Sequence, residues 1–438
     1  MHSPPRRRSP VAGVAGAFYG WYVVAALFFA LFLGTGARQG FGVFVETWEN
    51  EFNVSVATIS IAAAVGVMVN GLSGPLTGRL VDSFGGRRII IPSLVILGIG
   101  CIGMGLVGSF LGILVLYGFV IALASGGASQ VASGAVVVRW FRRRRGTAIS
   151  VFASGGSFAG LLLIPFLTYM RIATDWHTAW VALGVIVLVL GVPLVWLIVR
   201  DDPRDLNLQP DGDGGPAASA AAFAVEVPPL EAKDWRDSFH SVPMWQLLLT
   251  FVVCGVTTQS IAVHFIRWAS DVGVSAGTAA LAFGLLSAIN AIGVLLVGYA
   301  SDRLQRRSLL SMVYLVRAFA FVSLIVLPGG TAIWVFAIVG GASWLATVPL
   351  TQALTADVYG LRHLGMLSGL TFMSHQLAGA LAVVLFGVAF DATGSYNLPF
   401  VVSAVLLVGA AFGAFSIRER RYSVRYAGKP ARAGAKGE

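Results

Sequence analysis

Apolar runs of roughly 18 residues or more recur along the whole chain, separated by short polar segments. Each run is long enough to cross about 30 Å of hydrocarbon as a helix. The pattern predicts twelve membrane-spanning helices, over 18–46, 55–80, 88–107, 111–138, 146–170, 176–199, 243–268, 274–300, 308–327, 331–356, 364–390 and 396–417. A membrane β-barrel would show short alternating segments instead. Residues 201–242 form the longest polar interval, with Asp211-Gly-Asp-Gly-Gly-Pro and an Ala-rich stretch, and read as a flexible linker. A short amphipathic helix is expected near Trp235. The expected organisation is a tail (1–17), a six-helix half (18–200), the linker (201–242), a second half (243–417) and a tail (418–438).

Composition sharpens this picture. Of 438 residues, 57% are hydrophobic and 11% charged, against about 25% charged in a soluble domain. The net charge of +10 would fit a nucleic-acid binder, but the basic residues sit in loops between spans, so it reads as topology. Assigning both termini, the linker and the 2–3, 4–5, 8–9 and 10–11 loops to one side gathers 26 of the 30 Lys and Arg residues there. The positive-inside rule puts that side in the cytoplasm. Arg6-Arg7-Arg8 makes a basic leader, and the apolar run after it is too long for a signal-peptide core, so no cleavage is expected. Cys101 and Cys254 fall in spans of different halves, which argues against a disulfide framework.

One polar signature occurs twice. Gly78-Arg-Leu-Val-Asp82-Ser-Phe-Gly-Gly-Arg87-Arg88 follows span 2, and Gly298-Tyr-Ala-Ser-Asp302-Arg303-Leu-Gln-Arg306-Arg307 follows span 8. The repeat points to two halves built alike, a common construction among secondary transporters. It resembles the loop motif of the major facilitator superfamily, which implies the fold of that superfamily and a gate at one membrane face. A carboxylate beside an arginine pair can make charge-assisted bonds that open and close as helices move. The gating candidates are Asp82, Arg87, Arg88, Asp302, Arg303 and Arg306. Ser83 stands where the second copy has Arg303, so the two halves are expected to be controlled unequally.

Two further segments narrow the resemblance. Span 1 opens with Tyr19-Gly20-Trp21-Tyr22 and closes with Gly36-Ala-Arg38-Gln-Gly-Phe41-Gly-Val-Phe44. The span 4–5 junction reads Trp140-Phe141-Arg142-Arg143-Arg144-Arg145-Gly146-Thr-Ala148, followed by Gly155, Gly156 and Gly160. Both are similar to signatures of the monocarboxylate transporter branch, to which the oxalate–formate antiporter is also similar. The resemblance implies transport of small organic anions by rocking of the halves, with helices 1, 4, 7 and 10 lining the path. It also implies a basic substrate contact in span 1, matched by Arg38. An acidic–basic pair four residues apart is expected in span 8, but Asn290 and Val294 stand at those places. Proton coupling, anion exchange and uniport all stay open.

Ionisable and polar groups inside spans supply the remaining candidates, since burying them in hydrocarbon is expensive. Arg38 can clamp a carboxylate through two parallel bonds, and Gln39 adjoins it. Thr257, Ser260, His264 and Arg267 share one face of span 7, and Ser368, Thr371 and His375 one face of span 11. His375 and His264 are the candidates for titration near neutral pH. Asn70, Gln130, Asn290, Gln352 and Gln376 are deep neutral groups suited to substrate contact or interhelical bonds. Ser125, Ser129 and Ser133, and Ser150, Ser154 and Ser157 with nearby glycines, read as close-packing faces. Arg317 reads as structural.

No acid–base pair, nucleophile motif, metal-ligand spacing or nucleotide-binding loop is present, so an enzyme or an ATP-driven pump is not expected, nor any cofactor. The expected partners are a small organic anion, protons if transport is proton-coupled, and the lipid bilayer, with the chain acting as a monomer in a bacterial-type plasma membrane. The competing function is efflux of drugs or other amphipathic compounds. Against it, no acidic residue lies deep in the early spans to attract a cation.

Overall fold

The apolar runs fold as helices because only a helix satisfies its own backbone polar groups within lipid. The structure, a computed structural model, describes residues 18–54, 56–212 and 234–417. The leader arginines, the Ala-rich part of the linker and the C-terminal tail lie outside the described residues. Twelve helices are long and apolar enough to span a membrane. In the first half they are α1 (Tyr19–Phe44), α2 (Ile61–Phe84), α3 (Gly86–Met104), α4 (Phe110–Trp140), α5 (Arg145–Ala173) and α6 (Trp176–Ile198). In the second they are α7 (Val242–Asp271), α8 (Gly277–Ser301), α9 (Arg306–Val326), α10 (Gly329–Tyr359), α11 (Leu364–Thr393) and α12 (Asn397–Phe415). Each half buries its own apolar core: Leu27, Trp140, Phe152 and Trp180 in the first, Leu247, Phe265, Phe321 and Phe336 in the second.

Local chemistry sets the helix ends. The Asp175 carboxylate accepts the Thr178 amide at 2.6 Å and starts α6, and Ser275 does the same for Thr278 at the head of α8. Gly85, at φ +87°, makes the one-residue turn from α2 to α3, where a side chain would collide with the Asp201 carboxylate. Of the linker, Pro203–Leu206 and Trp235–His240 form 3₁₀ turns, each closed by an aspartate capping box. The expected amphipathic helix at Trp235 is therefore only one short 3₁₀ segment, stopped by Ser241 and by Pro243 opening α7. Asp211 holds the start of the linker to the α4–α5 loop, accepting the amides of Arg142 and Arg143 at 2.9 and 2.7 Å.

Two spans that read as continuous are interrupted. α4 breaks at Ala128–Ser129, and α10 breaks at residues 344–346, each a few residues after a π-helical stretch (Leu116–Ile121 and Phe336–Gly340). The breaks occupy matching places in the two halves. Each starts a shorter helix, Gln130–Trp140 and Thr347–Tyr359, whose N-terminus lies inside the membrane span. The breaks are tolerated because the freed backbone groups find partners. Asn290 of α8 accepts the Leu345 amide at 2.9 Å, and the fully buried Arg317 of α9 donates to the carbonyls of Ser343 and Trp344. Arg317 is structural, as its sequence context implied. Cys101 and Cys254 are buried, unpaired and in different halves.

Candidate functional site

The two halves meet along two seams of small residues, α2 against α11 and α5 against α8. A methyl built on Gly78 would lie 2.0 Å from the Gly365 carbonyl oxygen, and one on Gly369 would lie 2.3 Å from that of Gly74. On the other seam, a methyl on Gly298 would lie 2.0 Å from Ser150 Oγ and 2.8 Å from the Gly146 carbonyl. Glycines here let backbones approach as only small residues permit.

The signature aspartates seal these seams at the arginine-rich face. Asp82 at the end of α2 accepts the amides of Gly365 and Met366, which open α11 in the other half, at 2.9 and 2.8 Å. Asp302 after α8 accepts the amides of Gly146 and Thr147, which open α5, at 2.7 and 2.9 Å, and the Thr147 hydroxyl at 2.6 Å. Each carboxylate thus caps a helix N-terminus belonging to the opposite half, where the partial positive charge of the terminus favours it. The shortest bonds run to groups across the interface, and among the described residues only Asp302 also pairs with an arginine of its own loop.

The arginines divide unequally. Arg306 bridges Asp302 at 3.6 Å and also reaches Asp357 at the end of α10, which Arg145 contacts at 2.6 Å. Arg87 and Arg88 take no part in the seal: the Arg87 amide donates to Asp201 at 2.8 Å and its guanidinium to the Trp196 carbonyl, while Arg88 is exposed. Arg303 lies over the Tyr299 ring at 3.6 Å. Sequence reasoning missed Asp357, and it read Arg145 as a loop charge and part of the span 4–5 signature, not as an ion-pair partner. The signal for the crossed partners was a second repeat: Gly146 follows Asp82 by 64 positions, and Gly365 follows Asp302 by 63.

Above the seal lies a small central cavity of about 30 Å³. α4 contributes Gln130 and Val131, α7 Phe251, α10 Val348, Thr351 and Gln352, and α11 Ser368, Thr371 and Phe372. α11 thus lines it where α1 was expected. Gln352 donates to the Gln130 carbonyl at 3.2 Å, joining the halves, and the Gln130 side-chain amide nitrogen has no partner among the described residues. Both half-helix N-termini begin at this level. No carboxylate lines the cavity.

The other predicted residues lie around it. Asn290 donates to Ser157 of the other half at 2.9 Å. His375 is buried behind Phe251 and Phe372, with ring centroids 4.8 and 6.4 Å away, and its Nδ1 lies 3.1 Å from Gln376 Oε1. Gln376 accepts from Gln259 at 3.1 Å and packs against Gly71 of the first half. Arg38 is half-buried near the far end of α1, where Tyr117 donates to its carbonyl at 2.8 Å. Among the described residues, no acceptor engages its guanidinium. Gln39 is exposed and faces Gly160 of α5.

Three candidates sit in packing roles away from the cavity. Asn70 donates to the Ala122 carbonyl and to Ser125, tying α2 to α4. Thr257 bonds the carbonyls of Val253 and Cys254 in its own helix. His264 lies 3.0 Å from both the Tyr396 hydroxyl and the Val383 carbonyl, so its two ring nitrogens are occupied within the second half. Among the described residues, His264 alone of the polar stripe of α7 finds hydrogen-bond partners outside its own helix.

Comparison with known proteins agrees with this architecture. The chain is 25% identical to an uncharacterised MFS-type transporter, YcxA, of Bacillus subtilis (89% of this chain, 92% of the relative). It is 24% identical to Monocarboxylate transporter 12-B of Danio rerio (93% and 88%), and 29% identical to a probable sulfoacetate transporter, SauU, of Cupriavidus necator (76% and 79%). Its fold is similar to the crystal structure of the MFS transporter FucP in the outward conformation, with a TM-score of 0.67 at 16% identity, covering 91% of this chain and 99% of that one. The relatives and the fold are those of transporters, not enzymes. With twelve spans in two halves, and with the Major Facilitator Superfamily model matching residues 27–383, this chain belongs to the Major Facilitator Superfamily.

Proposed function

We propose that this chain carries small organic anions of the monocarboxylate type across the membrane by alternating access. The observation that carries this reading is the pair of half-helices starting at Gln130 and Thr347, whose N-termini meet a cavity without a carboxylate. Helix N-termini within a membrane favour a negatively charged ligand. Arg38, half-buried and without an internal acceptor, adds a planar cation on the path from the far face. The relatives named for monocarboxylates and sulfoacetate fit the same ligand chemistry.

The seals at Asp82, Asp302 and Asp357 close the arginine-rich face, which the positive-inside rule assigns to the cytoplasm. The conformation is then the outward-facing one. Asn290 occupies the place of an acidic group in span 8, and His375 is screened from the cavity by two aromatic rings, so exchange of one anion for another is the coupling favoured here.

The test is uptake into proteoliposomes of a labelled carboxylate panel (lactate, pyruvate, oxalate, formate, acetate and glycolate), with either a pH gradient or an internal anion. Saturable uptake that needs internal anion supports the proposal in full. Uptake that follows the pH gradient keeps the substrate class and replaces exchange by proton symport. Absence of uptake for every carboxylate refutes the substrate class and brings efflux of amphipathic compounds forward.

A further inference from the structure

Outside the central path, a polar cavity lies at the arginine-rich face of the first half, between the start of α3 and the end of α6. Its volume is about 760 Å³. Five arginines (Arg87, Arg88, Arg139, Arg200 and Arg204) and three aspartates (Asp201, Asp202 and Asp205) line it, so it holds two more positive charges than negative ones.

The carboxylates are already used internally. Asp202 takes two bonds from the Arg204 guanidinium at 2.8 and 2.7 Å, and this pairing holds its carboxyl below the usual range. Asp201 accepts the Arg87 amide at 2.8 Å, and Asp205 accepts the Asp202 amide at 3.3 Å. The remaining guanidinium groups have no carboxylate in direct contact among the described residues. Among the described residues, no ion pair engages Arg87, Arg88, Arg139 or Arg200. Arg87 and Arg200 point instead at carbonyls ending α6, those of Trp196 and Val199, at 2.6 and 2.9 Å.

The pocket also has an apolar rim. Phe84, Pro92 and Trp196 are exposed around it, and Trp196 is the kind of residue that settles at a membrane interface. Guanidinium groups bind phosphate oxygens bidentately. Basic pockets between transmembrane helices suit anionic headgroups.

We propose that this α3–α6 pocket binds the phosphate headgroup of an anionic membrane lipid, with the acyl chains leaving across Phe84, Pro92 and Trp196. A free phosphate ion would satisfy the same arginines, but it would gain nothing from the apolar rim. The rim therefore favours the lipid.

The test is native mass spectrometry of the full chain in detergent, titrated with phosphatidylglycerol, phosphatidylcholine or inorganic phosphate. Phosphatidylglycerol should bind saturably and in preference to phosphatidylcholine, and equimolar inorganic phosphate should not displace it. Arg88→Gln with Arg200→Gln should weaken that binding about 30-fold, since each basic group near the surface contributes about one kcal/mol. Because Arg200 also contacts the end of α6, Arg88→Gln alone provides a variant at an exposed position with no fold contact, expected to lose about 5-fold. Binding of phosphatidylglycerol unchanged in both variants, or equal binding of phosphatidylcholine, overturns the proposal. Displacement by equimolar inorganic phosphate overturns the lipid assignment and makes this a soluble-anion site.

Discussion

Gly78→Ala isolates the glycine seam from every charge in the gate. The added methyl would lie 2.0 Å from the Gly365 carbonyl oxygen, 2.4 Å from its carbon and 2.8 Å from the Met366 nitrogen. All three are backbone atoms, so no side chain can swing aside. Restoring ordinary van der Waals contact at about 3.5 Å requires α2 and α11 to part by roughly 1 Å or more. Asp82 bonds the Gly365 and Met366 amides at 2.9 and 2.8 Å, and the same displacement stretches both to about 4 Å, beyond hydrogen-bond range. Two bonds to a charged acceptor contribute about 1.5–3 kcal/mol each, so the closed state loses about 3–6 kcal/mol, or about 10²–10⁴ in its ratio to the open state. The open state is not penalised, because the helices have already separated.

Double electron–electron resonance reads this shift directly. Spin labels at Ser83→Cys and Arg362→Cys flank the seam at exposed positions in opposite halves, while the native cysteines are buried. Gly78→Ala should move most of the distance distribution to longer separation. Gly284→Ala, where nothing lies within 4 Å of the added methyl, should leave it unchanged. An unaltered distribution in folded Gly78→Ala protein would show that the close approach does not hold the gate.

Three further outcomes are expected. Asp357→Asn leaves Arg306 with Asp302 alone and takes the charged partner from Arg145, should weaken the closed state by about 1–3 kcal/mol, and should lengthen the same label distances; no change would remove Asp357 from the gate. Arg38→Lys keeps the charge but loses the planar fork, and should reduce carboxylate uptake in proteoliposomes by about 10-fold, with Arg38→Ala lower still; wild-type uptake in Arg38→Ala would sink the clamp. Should uptake follow a pH gradient, His375→Gln should flatten its pH profile between about pH 5 and 8, and an unchanged profile would exclude that histidine as the proton carrier.

The contacts at the two seams are unequal. The Asp302 side has three bonds into α5 plus an ion-pair chain through Arg306, Asp357 and Arg145, while Asp82 has two backbone bonds and, among the described residues, no ion pair. If these contacts form a gate, opening should cost more at α5–α8 than at α2–α11.

The sequence alone determined the span count, the two-half construction and the two aspartates at the ends of α2 and α8. Each of these is local: hydropathy measures the transfer of one segment into lipid, and the repeat can be read by comparing the chain with itself. It also flagged Gln130, Asn290 and His375 as deep polar groups. Only the tertiary structure decided what they touch. Asp82 finds its partners in the opposite half, at Gly365 and Met366, because the halves pack with crossed symmetry. The break in α4 was hidden because no proline marks it; in α10, Pro349 stands in the first turn after the break, but the break is sustained by Asn290 and Arg317 from other helices. His375 shared a predicted face with Ser368 and Thr371, yet it ends behind the aromatic rings while they line the cavity. Within lipid, apolarity inserts a helix but does not choose its neighbours. Close backbone approach and buried hydrogen bonds make that choice, and both depend on residues far apart in the chain.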